Sequence, residues 1–142
     1  MSDNDYKPDF DIMDRYINFS SELLRISLLA IGGFGAIMLI KLKNESDAIS
    51  LNHLLFLFIS ICCFTLCAGF ALFHRFYASD SMSWYISYLR AKENNNHEKA
   101  QKEQKGLHKA LRYSNIFLIT TEIMFGIAVK FFAVGIYQLI FG

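Results

Sequence analysis

The chain has 142 residues, of which 54% are hydrophobic and 15% are aromatic, and its formal net charge is +1. This near-neutral balance gives no overall attraction to nucleic acid, so we expect no nucleic-acid partner. The apolar residues are concentrated in three blocks, a distribution typical of a helical membrane protein. A single proline and the lack of sustained two-residue alternation favour helices over barrel strands.

Residues 1–19 are predicted to form a polar or amphipathic N-terminal segment. It begins with acidic, polar residues and has no apolar region at its start, so we expect no cleavable signal peptide. Phe10, Met13 and Ile17 then repeat at helical spacing. This pattern predicts a short amphipathic helix lying on the membrane or against a partner helix, with a solvated lead-in as the alternative.

Residues 20–42 are predicted to form the first transmembrane helix, with Ser20 or Ser21 as its N-cap. Gly32 and Ala36 form a small-xxx-small pair, which lets another helix approach closely. The small residues that we expect to contribute to helix packing are Gly32, Gly35 and Ala36 here and Gly126 in the third span.

Residues 43–52 are predicted to form a short external loop, and residues 53–75 the second transmembrane helix. The run from Leu54 to Phe73 contains no charged residue and no proline. At about 1.5 Å per residue, a helix of this length crosses a hydrocarbon core of roughly 30 Å. This is the clearest membrane span in the sequence.

The chain's three cysteines, Cys62, Cys63 and Cys67, all lie within the second span. Two interpretations are open for them: a redox or metal site inside the membrane, or small apolar packing residues. No histidine or acid shares their depth, and free cysteine behaves as a small hydrophobe. We therefore favour packing and expect no metal site.

Residues 76–112 are predicted to form a cytosolic helical hairpin, which turns at Asn94 to Asn96. Leu89 and Leu107 or Leu111 should lie on the contacting faces of the two arms, because these are the main apolar residues of the arms. A helix break is possible between Ser79 and Ser81, since these residues cap well.

The densest positive cluster of the chain lies on this hairpin. A phosphate-bearing ligand is one interpretation. Three interleaved glutamates favour the other, a solvated helix face that also sets the topology. His97 and His108 have no convincing ligand partners, which again argues against a metal site. The basic residues of the cluster are Arg90, Lys92, Lys99, Lys102, Lys105, Lys109 and Arg112.

Residues 113–142 are predicted to form the third transmembrane helix, which contains two charged residues, Glu122 and Lys130. An ionisable side chain at the bilayer centre costs about 2.5–3.5 kcal/mol on insertion scales. We therefore expect both side chains to point into the bundle or toward an oligomer axis. They would either line a path for ions or protons, or form structural salt bridges, for example to Glu22 or Arg25.

The basic residues also predict the orientation in the membrane. The N-terminal segment and the long hairpin carry most of the lysine and arginine, whereas the short first loop has only Lys41 and Lys43 beside it. The positive-inside rule therefore predicts a cytoplasmic N-terminus and an external C-terminus. A bacterial inner membrane is the expected location.

The sequence thus predicts an all-α integral membrane protein with three transmembrane helices and a cytosolic helical hairpin between spans two and three. No phosphate-binding glycine loop, HExxH motif or nucleophile elbow occurs, so we expect neither enzymatic activity nor a cofactor. Three helices shield two charges poorly, which predicts a homo-oligomer or a partner membrane protein.

Two functions remain. The first is an oligomeric membrane effector or channel, whose cytosolic hairpin senses a signal or docks a partner and whose third span lines or seals a path. The alternative is a non-catalytic subunit that anchors or regulates a larger complex. In overall plan the chain resembles the small membrane effectors of bacterial antiphage systems.

Overall fold

A computed structural model of the chain describes residues 7–43 and 51–141, and the side chains of residues 11–37 and 55–138. These residues form three α-helices: α1 (Lys7–Lys43), α2 (Leu51–Glu93) and α3 (His97–Phe141). The described part of the chain contains no strand, so the predicted all-α fold is confirmed. The predicted first loop lies largely outside the described residues.

Helix α1 joins the predicted amphipathic segment to the first span without a break. The prediction that Ser20 or Ser21 begins a new helix is therefore wrong. Both hydroxyls donate to the carbonyl of Ile17, over 3.0 Å from Ser20 and 2.7 Å from Ser21. Serine can satisfy its hydroxyl in this way inside a helix, and the apolar residues before it keep the helical repeat.

Helix α2 extends from the second span into the predicted hairpin as one uninterrupted helix. The possible break between Ser79 and Ser81 is absent. Ser81 is fully buried, and its hydroxyl donates to the Ala78 carbonyl at 2.7 Å. The capping tendency of Ser81 is overridden because its helix face packs inside the molecule, whereas Ser79 is exposed on the same unbroken helix.

Asn94 to Asn96 form the turn between α2 and α3, as predicted. Asn95 has a left-handed backbone with φ of 53°, which asparagine tolerates better than most residues. The Asn96 amide donates to the Ala91 carbonyl at 3.0 Å, and the Asn95 amide to that of Lys92 at 3.1 Å. These two bonds are the Schellman pattern that ends a helix.

The same turn starts α3. The Asn96 side-chain oxygen accepts a hydrogen bond of 3.0 Å from the amide of Lys99, which makes Asn96 the N-cap of this helix. Glu98 in the first turn of α3 and Arg90 and Lys92 in the last turn of α2 complement the helix dipoles. Three consecutive asparagines therefore reverse the chain with both helix ends satisfied.

Helix α2 is the central helix: it packs along α3 over most of its length and along part of α1, whereas α1 and α3 meet only briefly. The buried positions recur every seven residues on each helix, the repeat of left-handed helix packing. They are Ser20, Ser27 and Phe34 on α1, Ser60, Cys67, His74 and Ser81 on α2, and Ser114, Thr121, Ala128 and Gly135 on α3.

Small residues along these buried positions let the helices approach closely, and aromatic rings fill the space beside them. A Cβ atom at Gly135 would lie 2.5 Å from Leu57 Cδ2, so the leucine side chain packs directly on the glycine backbone. Phe117 on α3 stacks on Phe73 and Tyr77 of α2, with both ring centroids 5.4 Å away. The α2–α3 pair is thus the best-packed part of the molecule.

All three helices are long and apolar enough to cross a membrane. Large apolar side chains cover the outside of the bundle, for example Leu29 with 75% of its surface exposed and Phe58 with 63%. Such an apolar exterior suits contact with lipid tails. The chain is a multi-pass membrane protein.

Candidate functional site

The core of the bundle contains a polar layer to which every helix contributes one residue. Ser27 Oγ of α1 lies 3.4 Å from Cys67 Sγ of α2, and Cys67 Sγ lies 3.5 Å from the Thr121 carbonyl oxygen of α3. All three side chains are fully buried. Seven residues before Cys67 on α2, the Ser60 hydroxyl donates to the Ala128 carbonyl of α3 at 3.0 Å.

This layer shows what the cysteines do in the fold. Cys67 is buried within it, whereas Cys63 is half-buried, Cys62 is exposed and all three are free thiols. The prediction that no acid shares the depth of the cysteines is wrong, because Cys67 lies at Thr121 and Glu122 is the next residue of α3; the Glu122 side chain is exposed on the outer side of that helix. Among residues 11–37 and 55–138, no three histidine, cysteine or acidic side chains converge as metal ligands would. The contacts of Cys67 are those of a packing residue that also links three helices.

His74 lies one heptad from Cys67 and is almost fully buried, with 2% of its surface exposed. Its Nδ1 atom has no hydrogen-bond partner among the described residues, a property that it shares with Gln138 Oε1. Ser20 and Ser114 are also buried, and each lies seven residues before a member of the polar layer, Ser27 and Thr121 respectively. His74 was not among the predicted functional residues.

A second polar surface lies on the outside of α3, facing away from α2. The outer face of α3 consists of five residues that share one side of the helix and are all exposed in the single chain: Glu122, Gly126, Lys130, Ala133 and Tyr137. The predicted stripe is thus present and points away from the bundle interior. Glu122 and Lys130 are eight residues apart, about 12 Å along the helix.

The prediction that Glu122 and Lys130 point into the bundle of a single chain is therefore wrong. The predicted salt bridges to Glu22 or Arg25 are also absent, because these two residues pair with each other at 3.2 Å. The physical reason is which side of α3 packs on α2. Small, uncharged residues of α3 form that contact, so the charged side of the helix faces outward. An oligomer axis is left as a prediction.

The residues predicted to pack helices together through close approach are not used inside the chain. Gly32, Gly35, Ala36 and Gly126 are all exposed. A Cβ atom added at any of the three glycines would meet no other atom within 4 Å. The chain itself packs through the serine-rich positions described above, which leaves these small residues open on the outside of α1 and α3.

The hairpin arm, residues 76–112, holds an open cleft of about 340 Å³. Trp84 lies across it, and its Nε1 donates to Asp80 Oδ2 at 3.0 Å. A Cβ atom at Gly106 would lie 2.5–2.7 Å from three atoms of the indole ring, so glycine alone fits beneath the ring. Lys109 and Tyr113 complete the polar side of the cleft.

The two helices of the arm bury smaller residues beside the leucines that were predicted to lie on their contacting faces. Leu89, Leu107 and Leu111 are half-buried, whereas the fully buried side chains on the arm include Ala91 and Ala110. Small residues allow closer contact of the two helices than leucines would. The leucines therefore lie beside the centre of the contact between the two helices of the arm.

All seven predicted basic residues of the arm are exposed. Among the described residues, none of them forms an ion pair with the interleaved glutamates, since the one pair found lies on α1. The cluster, which consists of Arg90, Lys92, Lys99, Lys102, Lys105, Lys109 and Arg112, thus presents unpaired positive charge to solvent.

The buried heptads are the main feature that sequence reasoning missed. The signal was present as serine, cysteine, threonine and alanine recurring every seven residues within apolar runs, but the glycines were the more familiar packing signal.

Comparisons of the chain with protein-family models, with curated proteins and with solved structures find no match.

Proposed function

We propose that this protein is an oligomeric membrane effector or channel-type assembly in which the hairpin arm senses a signal or docks a partner. The observation that carries the proposal is the outward position of Glu122 and Lys130 on α3. In a single chain surrounded by lipid, both side chains would meet hydrocarbon near the middle of the predicted third span. Contact with other copies of the chain, or with water held between them, removes that conflict.

The free-energy cost of placing these two charges in lipid favours covering the outer face of α3. Each charge costs about 2.5–3.5 kcal/mol near the bilayer centre. Two such penalties are comparable with the whole net stability of a small protein, roughly 5–15 kcal/mol. Lys130 lies too deep in the predicted span for its side chain to reach the headgroups easily. Gly126 between the two charges leaves room for a neighbouring helix or water.

The hairpin arm supports the sensing role. It continues α2 and α3 beyond the predicted spans and carries seven exposed cations and an open cleft beside Trp84. We assign the arm and the N-terminus to the cytoplasm on the positive-inside rule, and the C-terminus to the outside of a bacterial inner membrane. An effector of antiphage defence fits this arrangement.

The first test is the mass of the detergent-solubilised full-length protein, with the detergent subtracted. The proposal expects a defined homo-oligomer, because a closed assembly gives one size. A monomer over a range of detergent concentrations would contradict it.

The second test is the variant Lys130→Met, which removes the charge and keeps much of the side-chain length. We expect ion flux through reconstituted vesicles, or toxicity on expression, to change at least about tenfold while the oligomer mass stays the same. Arg75→Met removes an exposed positive charge on α2, outside both the basic cluster of the arm and the outer face of α3, and serves as the matched control. Equal flux in all three proteins would argue against a conduction path along α3.

The alternative is a non-catalytic anchor or regulatory subunit of a larger complex. The unpaired cations of the arm favour it, because they offer an acidic partner an electrostatic docking surface. In that case, a helix of the partner covers the outer face of α3. A monomeric mass together with salt-sensitive co-purification of an acidic membrane protein would support this function.

A further inference from the structure

The outside of α1 carries a second face that the chain leaves open. The outer face of α1 consists of five residues on one side of the helix, opposite the side that packs on α2: Glu22, Arg25, Leu29, Gly32 and Ala36. All five are exposed in the single chain, and Leu29 has 75% of its surface exposed. A Cβ atom at Gly32 would meet nothing within 4 Å.

The polar layer gives the relative depth of α1 and α3. Ser27 and Thr121 both lie beside Cys67, so these two residues are level in the membrane. Because α2 runs antiparallel to both neighbours, α1 and α3 run in the same direction and rise equally, about 1.5 Å per residue. Gly32 lies five residues beyond Ser27, and Gly126 lies five residues beyond Thr121. The two exposed glycines are therefore at the same depth.

The charges on the two faces are complementary in the same register. Arg25 lies two residues before Ser27, and Glu122 lies one residue after Thr121, so their depths differ by about 4–5 Å. An arginine side chain is long enough to bridge that offset. Arg25 is available for such a contact, because its pairing with Glu22 lies on the surface, where the two side chains are 73% and 61% exposed.

We propose that two copies of this chain meet through these faces, with α1 of one copy against α3 of the next. Gly32 packs beside Gly126 of the neighbouring copy, and Arg25 pairs with the neighbouring copy's Glu122. Rotation about an axis normal to the membrane preserves depth, which keeps both contacts in register. The inference rests on the self-association proposed above but does not depend on conduction.

This contact joins two different faces, so each copy keeps one free face of each kind until the assembly closes into a ring. Because α1 and α3 flank α2 and touch each other little, both faces are accessible at once. The glycines let the two helices approach closely, and the ion pair replaces contact between Glu122 and lipid. Lys130, eight residues further along α3, stays at the edge of the contact beside Ala36.

The test is disulfide cross-linking between two differently tagged copies, one carrying Gly32→Cys and the other Gly126→Cys. Cys62 and Cys63 are replaced by alanine in both, whereas buried Cys67 is kept. Co-expressed copies in native membranes should form a heterodimeric cross-link on mild oxidation, because the two Cα atoms come within disulfide range. Gly33→Cys replaces Gly32→Cys as the matched control. Gly33 is equally open but lies about 100° around the helix from Gly32, at the Glu22 edge of the face, and it should give several-fold less product.

The outcomes separate this inference from the proposed function. An oligomeric mass with the Gly32–Gly126 cross-link supports both. An oligomeric mass with cross-links only between two Gly126→Cys copies, or with none, overturns the α1–α3 contact and leaves self-association standing. A monomeric mass overturns both proposals.

A charge reversal tests the ion pair without introducing a disulfide. Glu122→Arg places two cations at the contact and should lower the oligomeric fraction several-fold at a fixed detergent ratio. Adding Arg25→Glu should restore most of it, because the pair is then reversed. An unchanged fraction in Glu122→Arg, or no recovery in the double variant when its helix content equals that of the original protein, would contradict the pairing.

Discussion

Single residues decide how closely the helices of this protein can approach, and Gly106 shows this best. In the sequence, it is the weak helix former in an arm that is otherwise rich in good ones. In the structure, the indole of Trp84 occupies the place where a Cβ atom would be. The ring is held there by its hydrogen bond to Asp80. The lower helix propensity of glycine is thus offset by a close contact between the two arms.

We expect Gly106→Ala to displace the indole, since a ring face cannot yield as a flexible chain end does. Overpacking of this kind costs about 1–3 kcal/mol. Trp84 is the single tryptophan of the chain, so its fluorescence reports the change directly. The emission should shift to longer wavelength, and the midpoint of thermal unfolding should fall.

Gly33→Ala is the control for this prediction, because nothing lies within 4 Å of the added Cβ atom. It should leave the emission unchanged and gain up to about 1 kcal/mol in helix propensity. Identical spectra for Gly106→Ala and the original protein would show that Trp84 does not lie on Gly106.

At the scale of elements, the α2–α3 turn is satisfied by hydrogen bonds from its own three asparagines. Asn95 takes the left-handed backbone that ends α2, and Asn96 caps α3 through its side chain. Because each helix end leaves backbone groups without intrahelical partners, a turn this short must supply them locally. This requirement explains why so polar a sequence lies between two helices of more than forty residues each.

We expect Asn96→Ala to destabilise the hairpin arm by about 0.5–2 kcal/mol, because the Lys99 amide loses its acceptor. Hydrogen exchange followed by mass spectrometry should show faster exchange at the start of α3 in this variant than in the original protein, with no change in the membrane spans. Asn96→Asp keeps an acceptor at the same place and should retain the original protection. Faster exchange in both variants would point to a role other than capping.

At the scale of the whole molecule, the bundle has an asymmetric exterior. Large apolar side chains are exposed on all three helices, whereas the outer face of α3 carries Glu122 and Lys130 and the outer face of α1 carries Glu22, Arg25 and the exposed Gly32. The arm adds seven exposed cations at one end of the bundle. One end is thus strongly positive, and this end determines the expected orientation.

The orientation is tested with single cysteines at Asn95 and Gly142 in a background that lacks Cys62 and Cys63. A membrane-impermeant maleimide should label Gly142→Cys in intact cells and Asn95→Cys only after the cells are opened. Three spans put these two positions on opposite sides of the membrane. Labelling of both positions in intact cells would contradict the three-span arrangement.

The sequence by itself determined the spans, the hairpin and its turn. A membrane helix satisfies its backbone within one segment, so hydropathy along the chain is sufficient to locate it. The Asn94–Asn96 turn was likewise readable because its bonds are local. The sequence also indicated that Glu122 and Lys130 share a side of α3, since that depends on helical geometry alone.

The tertiary structure alone decided which side of each helix is buried. Several small-residue stripes on α1 and α3 were compatible with close packing, and the glycines looked the stronger candidates. The buried serine, cysteine and alanine positions that recur every seven residues form the helix contacts instead. Ser27, Cys67 and Thr121 meet at one depth among them. Which stripe packs on α2 depends on the joint fit of side chains from three helices, a property that no single helix contains.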